Sequence, residues 1–369
     1  MIYWSIKTLF SEPMRLFVSA LAVAVSFLLV IFFSAVFEGE SKQMVLYLKK
    51  MQADVWVMQK GVSNMHMSSS MLWDWKADKI AKLPEVDSVT SILYLNGPVK
   101  IGGKNWYSYV IGITPENTHA GPWDMAQGKA IPDAGEAVIS EITARLTGIQ
   151  IGDEIFLVDR TLRVVGLSRH TFSMASSIVF VSREDLGDIV DGPDQVSYIM
   201  VKAKAGVSSK ELISRIKDNV NKVNALSSDD FIKSDWQLGI QMGAEIIQMM
   251  TFIGTVLATL IVAFTAYSLI AHKKQELAIA KALGFGNNQI YMAALSQSVI
   301  ITGSGLLLTI IISYTLLIWL PVLVPQINLS LELQQFIPLS VLAFPIALIA
   351  SFTAARSVVK VDPVSVFSR

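Results

Sequence analysis

Residues 246–271 read IIQMMTFIGTVLATLIVAFTAYSLIA, residues 272–289 read HKKQELAIAKALGFGNNQ, and residues 290–320 read IYMAALSQSVIITGSGLLLTIIISYTLLIWL. The outer two blocks contain no Asp, Glu, Lys or Arg, and each exceeds the roughly 20 apolar residues that a helix needs to cross a bilayer. The middle block is too patterned to be a mere turn. On a helical wheel Lys273, Lys274 and Lys281 fall on one side, and Ile279 and Leu283 fall on the other. Gly284 stands where a helix C-cap is expected, and Asn287 or Asn288 is placed to cap the helix that follows. The pattern predicts two membrane spans enclosing a short amphipathic helix, a compact handle for a soluble partner.

Two further blocks, 16–37 and 336–355, are equally free of acidic and basic residues. With 52% hydrophobic and 16% charged residues, the composition argues against an ordinary soluble enzyme. The expected architecture has an amphipathic N-terminal helix at 1–15 and spans at 16–37, 246–271, 290–320 and 336–355. A connecting loop with a short helix at 272–289, a short loop at 321–335 and a tail at 356–369 complete it. The first span is read as retained, because its apolar stretch exceeds a signal-peptide h-region and no small-x-small site follows before Glu38. Tyr3 and Trp4 suit the headgroup level of a membrane surface; a plain cytoplasmic extension of the first span is the other reading of 1–15.

Net charge is zero, so no nucleic-acid footprint shows, and the absence of cysteine excludes disulfides and thiolate metal sites. The basic residues orient the chain. Lys7 and Arg15 precede the first span, His272, Lys273, Lys274 and Lys281 lie between the second and third, and Arg356, Lys360 and Arg369 follow the fourth. The 321–335 loop carries only Glu332. By the positive-inside rule both termini and the 272–289 loop are cytoplasmic, and 38–245 lies outside. A bacterial inner, or plasma, membrane is the expected location.

That outer segment, about 200 residues, is long enough for one or two lobes. Strands are expected at 53–59, 86–98, 106–113, 135–140, 154–158, 161–167, 177–181 and 198–203, with Gly102-Gly103 and Gly152-Asp153 as turns. Helices are expected at 73–83, 141–146, 182–190 and 208–219, the last with Ser208 as N-cap and Glu211 in the capping-box position. Residues 114–135 read as loop. The third span is longer than a bilayer requires and is expected either to tilt or to bend at Gly303-Ser304-Gly305, and Pro338 and Pro345 should perturb the fourth.

The chemistry that is missing narrows the function. There is no G-x-x-x-x-G-K-[ST] loop and no H-E-x-x-H motif, and His66, His119, His170 and His272 are scattered. The spans lack the ionisable residues of a proton relay or an intramembrane protease. The chain is read as non-catalytic and as binding no cofactor. Met65-His66-Met67, with Met58 and Met71, offers thioether and imidazole ligands for Cu(I) or haem; the alternative is an apolar contact that suits Met. Trp56, Trp73, Trp75 and Trp106 form either core packing or an apolar ligand surface. Glu276 among its lysines belongs either to a solvated loop or to a docking helix.

Several local signatures together carry a resemblance. Lys273, then Glu276-Leu277-Ala278-Ile279-Ala280-Lys281-Ala282-Leu283-Gly284, is similar to the R-x-x-E-[IL]-[GA]-[IL]-x-[KR]-A-[LI]-G segment of the FtsX-like, MacB-like permeases of ABC systems. Glu136-Ala137-Val138-Ile139 through Gly152-Asp153 to Val164-Val165-Gly166 resembles that family's GEAVISE…GD…VVG stretch. Ala354-Ala355-Arg356 and Val361-Asp362-Pro363-Val364 resemble its closing pattern. The resemblance implies four transmembrane helices and a large mixed α+β extracytoplasmic domain, a two-lobed MacB-like periplasmic core, between helices one and two. It implies a split system, similar to DevC and haem-exporter permeases, working as a homodimer in membrane lipid. ATP and Mg would belong to a separate ABC ATPase, and a periplasmic adaptor and outer-membrane channel are further expected partners. Lys273, Lys274, Glu276, Leu277, Ile279, Lys281, Leu283 and Gly284 would form the ATPase-coupling element. The activity implied is mechanotransmission: ATP hydrolysis moves the outer domain and exports a hydrophobic or amphipathic substrate. The alternative is an FtsX-like signalling subunit that switches an extracytoplasmic enzyme such as a cell-wall hydrolase.

Overall fold

A computed structural model describes residues 2–174 and 176–360. The closing motif at Val361-Asp362-Pro363-Val364, Arg369 and the side chain of Trp4 lie outside what is described. The chain divides into two units, 1–38 with 245–323 and 329–369, and 39–244 with 324–328.

In chain order, helix α1 (Ile2–Phe10) is followed by α2 (Pro13–Met44) and α3 (Leu46–Lys50). Then come β1 (Val55–Gln59), β2 (Leu72–Trp73), α4 (Trp75–Ala81), β3 (Val86–Ile101), β4 (Lys104–Ile113), β5 (Met125–Gly128) and β6 (Glu136–Ser140). Helix α5 (Glu141–Thr147), β7 (Glu154–Leu157), β8 (Arg160–Ser168), β9 (Ser177–Ser182), α6 (Arg183–Ile189) and β10 (Gln195–Val196) continue the domain. It closes with β11 (Tyr198–Ala203), α7 (Ser209–Asn219) and β12 (Val223–Ser227). The last four helices are α8 (Ser228–His272), α9 (Lys274–Ala282), α10 (Asn287–Leu323) and α11 (Phe336–Val359).

Among the described residues four helical stretches are long and apolar enough to cross a membrane: Pro13–Met44, Gln248–His272, Asn287–Leu323 and Leu333–Ser357. Their contacts use small residues, since lipid removes the hydrophobic reason for helices to associate and leaves close packing to do it. Gly305 of α10 is the tightest case: a Cβ built there would lie 2.5 Å from Cγ1 of Val23 on α2. One turn on, Thr309 Oγ1 donates to the carbonyls of Gly305 (2.9 Å) and Ala24 (3.3 Å). Gly303-Ser304-Gly305, expected as a bend, lies inside the continuous helix α10, and its second glycine serves close approach. Between α10 and α11, Ser298 Oγ donates to the carbonyl of Ala347 at 3.1 Å. Pro345 is accommodated inside α11. Helix α1 is set off from α2 by a break at Ser11-Glu12, with Leu9 buried in the same apolar cluster as Val23 and Ile301 and with Tyr3 and Phe10 exposed.

The other unit is organised by β3, 16 residues long. Its first half is the outer strand of an antiparallel set ordered β12-β1-β11-β3. Its second half forms a hairpin with β4 across Gly102-Gly103, where both glycines have positive φ (58° and 77°) as a primed two-residue turn requires. From β4 the pairing runs to β9, β6 and β8, and β7 bridges β8 back to β3, so these strands close on themselves. Alternation along β1 explains its burial on both faces: Val55 and Val57 pack under α4 and α7, while Trp56 and Met58 pack with Tyr198 and Phe231. Ser208 Oγ accepts from the Glu211 N–H at 3.2 Å, as the N-cap pattern predicts.

Four strands depart from the expectation: the short pair β2 and β10, which bond to each other, and two longer ones. Met125–Gly128, expected within a loop, is an edge strand on β8, and Val223–Ser227, unassigned from sequence, pairs with β1. Neither alternates clearly in sequence, and each is held by its neighbour's backbone rather than by a pattern of its own.

Candidate functional site: the α8–α10 connection

Helix α8 ends at His272, whose Nδ1 lies 2.7 Å from the Ser268 carbonyl. Lys273 has left the helical region (φ −87°, ψ 11°), and α9 begins at the next residue. It ends in a full left-handed cap. Gly284 has φ +93°, its N–H donates to the Lys281 carbonyl (3.0 Å), and the Phe285 N–H donates to the Ala280 carbonyl (3.2 Å). The next helix is capped differently from the expectation at Asn287 or Asn288. Oε1 of Gln289 accepts from the Gly286 N–H at 3.0 Å, so a glutamine side chain reaching backwards does the work.

The wheel separates the residues as expected except for Lys274, which is exposed, and the structure decides which side faces the protein. The side with Lys273 and Lys281 does. Lys273 is 2% exposed and Leu277 3%, and Leu277 belongs to the apolar cluster of the helix bundle. Ala278 and Ala280 are buried and Glu276 is half-buried. Half-buried Lys281 donates from Nζ to the Val359 carbonyl at the end of α11, at 2.5 Å, which suits a cation at a helix C-terminus. Lys273 Nζ and Glu276 Oε2 are buried without a hydrogen-bond partner among the described residues.

The outward side is apolar. Ile279 is 43% exposed, Leu283 75% and Phe285 38%, with Lys274 and Gln275 beside them. The structure thus brings Ile279 and Leu283 together on one accessible stripe and adds Phe285. The signal for Phe285 was an apolar residue between two glycines in a polar turn. Glu276 and Leu277 are residues of the inner face, so substituting them tests folding before it tests docking.

Other residues singled out in the sequence are dispersed. His66 Nδ1 is paired with the Asp235 carboxylate, Met58 and Met65 are in the core, and Met67 and Met71 are exposed. Trp56 is a core residue, Trp73 and Trp75 are exposed, and Trp106 is half-buried. Among the described residues no group of three or more His, Asp or Glu is arranged to hold a metal ion.

Residues 16–219 match the family described as the MacB-like periplasmic core domain, and residues 249–363 match the FtsX-like permease C-terminal family. The chain belongs to the MacB-like, FtsX-like family of ABC transporter permeases. An uncharacterized ABC transporter permease of Mycobacterium tuberculosis is 20% identical over 368 residues, covering 100% of this chain and 99% of that one. HrtB of Staphylococcus haemolyticus, named for a hemin transport system, is 23% identical and covers 91% of this chain and 90% of its own. The macrolide export ATP-binding/permease protein MacB of Shewanella oneidensis is 22% identical, covering 97% of this chain and 59% of its own.

Proposed function

We propose that this chain is the permease subunit of an ABC system in which a separate cytoplasmic ATPase docks on α9. The observation that carries this reading is the apolar stripe Ile279–Leu283–Phe285. It is exposed on a short helix capped at its C-terminus and tied through Lys281 to the end of α11. Burying two aliphatic side chains against a partner contributes on the order of 1.5–3 kcal/mol each. In this reading both termini and α9 are cytoplasmic and the β-rich domain is extracytoplasmic, as the basic residues direct. ATP-driven movement of the docked subunits displaces α9 with the helices that flank it. It is read out as a hinge-type change of the outer domain, in a homodimer that handles a hydrophobic or amphipathic substrate.

The test is to tag the C-terminus, extract the full chain in mild detergent and identify co-purifying subunits by mass spectrometry. Wild-type protein should bring down an ABC ATPase, whereas Ile279→Asp/Leu283→Asp should lose it while melting at the same temperature. Retention of the ATPase by the double variant would sink the docking assignment. A peptidoglycan hydrolase in the eluate, in place of an adaptor or channel, would point to signalling rather than export.

A further inference from the structure

Away from α9, the β-rich unit contains a cleft of about 460 Å³, within the range typical of small-molecule sites. It opens where β1 and β3 begin and β11 ends. Its lining is mixed: Met51 and Met200, both nearly inaccessible, and Trp123 stand beside the polar side chains of Ser88, Thr90 and Thr118. Its rim carries Lys50, Lys202 and His119, with Asp87 as the one carboxylate. All four rim groups are exposed, and none makes an ion pair within the described residues. Two lysines against one aspartate leave net positive charge at the mouth of a cavity of mixed lining.

Three local irregularities converge here. Ser88 pairs with Lys202 and Val86 with Ala203, so Asp87 is an extra residue that bulges out of β3 opposite Lys202. Bulges of this kind re-aim side chains and occur preferentially beside sites. Gln52, which also lines the cleft, has φ +52°, a left-handed conformation that costs a non-glycine residue about 1 kcal/mol or more and is commonly kept where function requires it. Trp123 lines the cleft, and its buried indole N–H has no hydrogen-bond acceptor among the described residues. The wall that carries Trp123 is anchored, because Tyr47 Oη donates to the Ala120 carbonyl at 3.1 Å and the Tyr47 ring packs 6.3 Å from that of Trp123.

We infer that this cleft is a binding site for a small amphipathic anion, a carboxylate or phosphate group carried on an apolar body. The anionic group pairs with Lys50 and Lys202 at the rim, and the apolar body enters between Met51, Met200 and Trp123. This assignment stands independently of the docking role of α9.

The test uses full-length protein in lipid nanodiscs, with empty nanodiscs subtracted, and 1-naphthylacetate as the probe in equilibrium dialysis. Saturable binding is expected, about three-fold or more tighter than that of the uncharged 1-naphthylacetamide, the preference that solvent-exposed ion pairs support. Lys50→Glu/Lys202→Glu should remove this preference without changing the melting temperature, since neither lysine has a partner among the described residues. Equal binding of acid and amide, or an unchanged preference in the double variant, would overturn the site. Displacement by inorganic phosphate, with acetate binding as well as naphthylacetate, would also overturn it by showing an anion contact without an apolar subsite.

Discussion

Asp235 shows how much one side chain can organise. It is fully buried near the start of α8, where Oδ1 accepts from the N–H groups of Met65 (2.8 Å) and His66 (3.1 Å) and Oδ2 meets His66 Nδ1. His66 in turn packs edge-on against Tyr109. Asp235→Ala would leave two backbone donors and an imidazole unpaired in the interior, a loss on the order of 3–5 kcal/mol. Differential scanning calorimetry should therefore place the variant's transition of the β-rich unit well below that of the wild type, and Asp235→Asn, which still offers one acceptor, in between. An unshifted Asp235→Ala transition would mean that water satisfies these groups. Sequence proximity grouped His66 with its methionine neighbours, but its partner is 169 residues away. No local pattern points to that pairing.

At the scale of elements, two contacts set how the long helices are held. Gly305 is flush against Val23 and the Ala20 carbonyl, so Gly305→Val has no room to be absorbed by a flexible side chain alone and must separate α10 from α2. Overpacking of this kind costs about 1–3 kcal/mol or more. The variant should lose detergent-resistant folding, read by its melting temperature, while Gly303→Ala, with nothing within 4 Å of the new Cβ, should behave as wild type. The second contact is Glu40, in the last turns of α2. Its carboxylate accepts from Asn328 N–H (2.9 Å), Asn328 Nδ2 (3.0 Å) and Met174 N–H (2.9 Å), and Asn328 Nδ2 also reaches the Phe172 carbonyl. Glu40→Ala should speed hydrogen exchange at 172–174 and at 328 by about ten-fold or more, given three charge-assisted bonds. Unchanged exchange would show that the 324–328 segment is held by other contacts.

For the whole molecule, the four apolar helices, the α9 break and most strands of the β-rich unit were legible from composition and periodicity, because burial in lipid or in a sheet imposes a pattern on consecutive residues. The positions of Lys273, Lys281, Ile279 and Leu283 around α9 were legible for the same reason, since helical spacing fixes relative angle. Which angle faces inward was not, because it depends on α10 and α11, which come later in the chain and whose neighbouring surfaces no local pattern describes. A lysine-rich face reads as solvated until the Val359 carbonyl is found against Lys281. That reversal moves the decisive docking variants from Glu276 and Leu277 to Ile279 and Leu283, where loss of the ATPase with an unchanged melt separates docking from folding. The cationic cleft was hidden for a similar reason: Lys50, Asp87, His119 and Lys202 come from four distant stretches. The order of residues determined the four apolar helices, the capped helix between the second and third of them, and the family. Tertiary packing alone decided which charges are buried, which apolar residues are left outside, and where separate cations meet over one cavity.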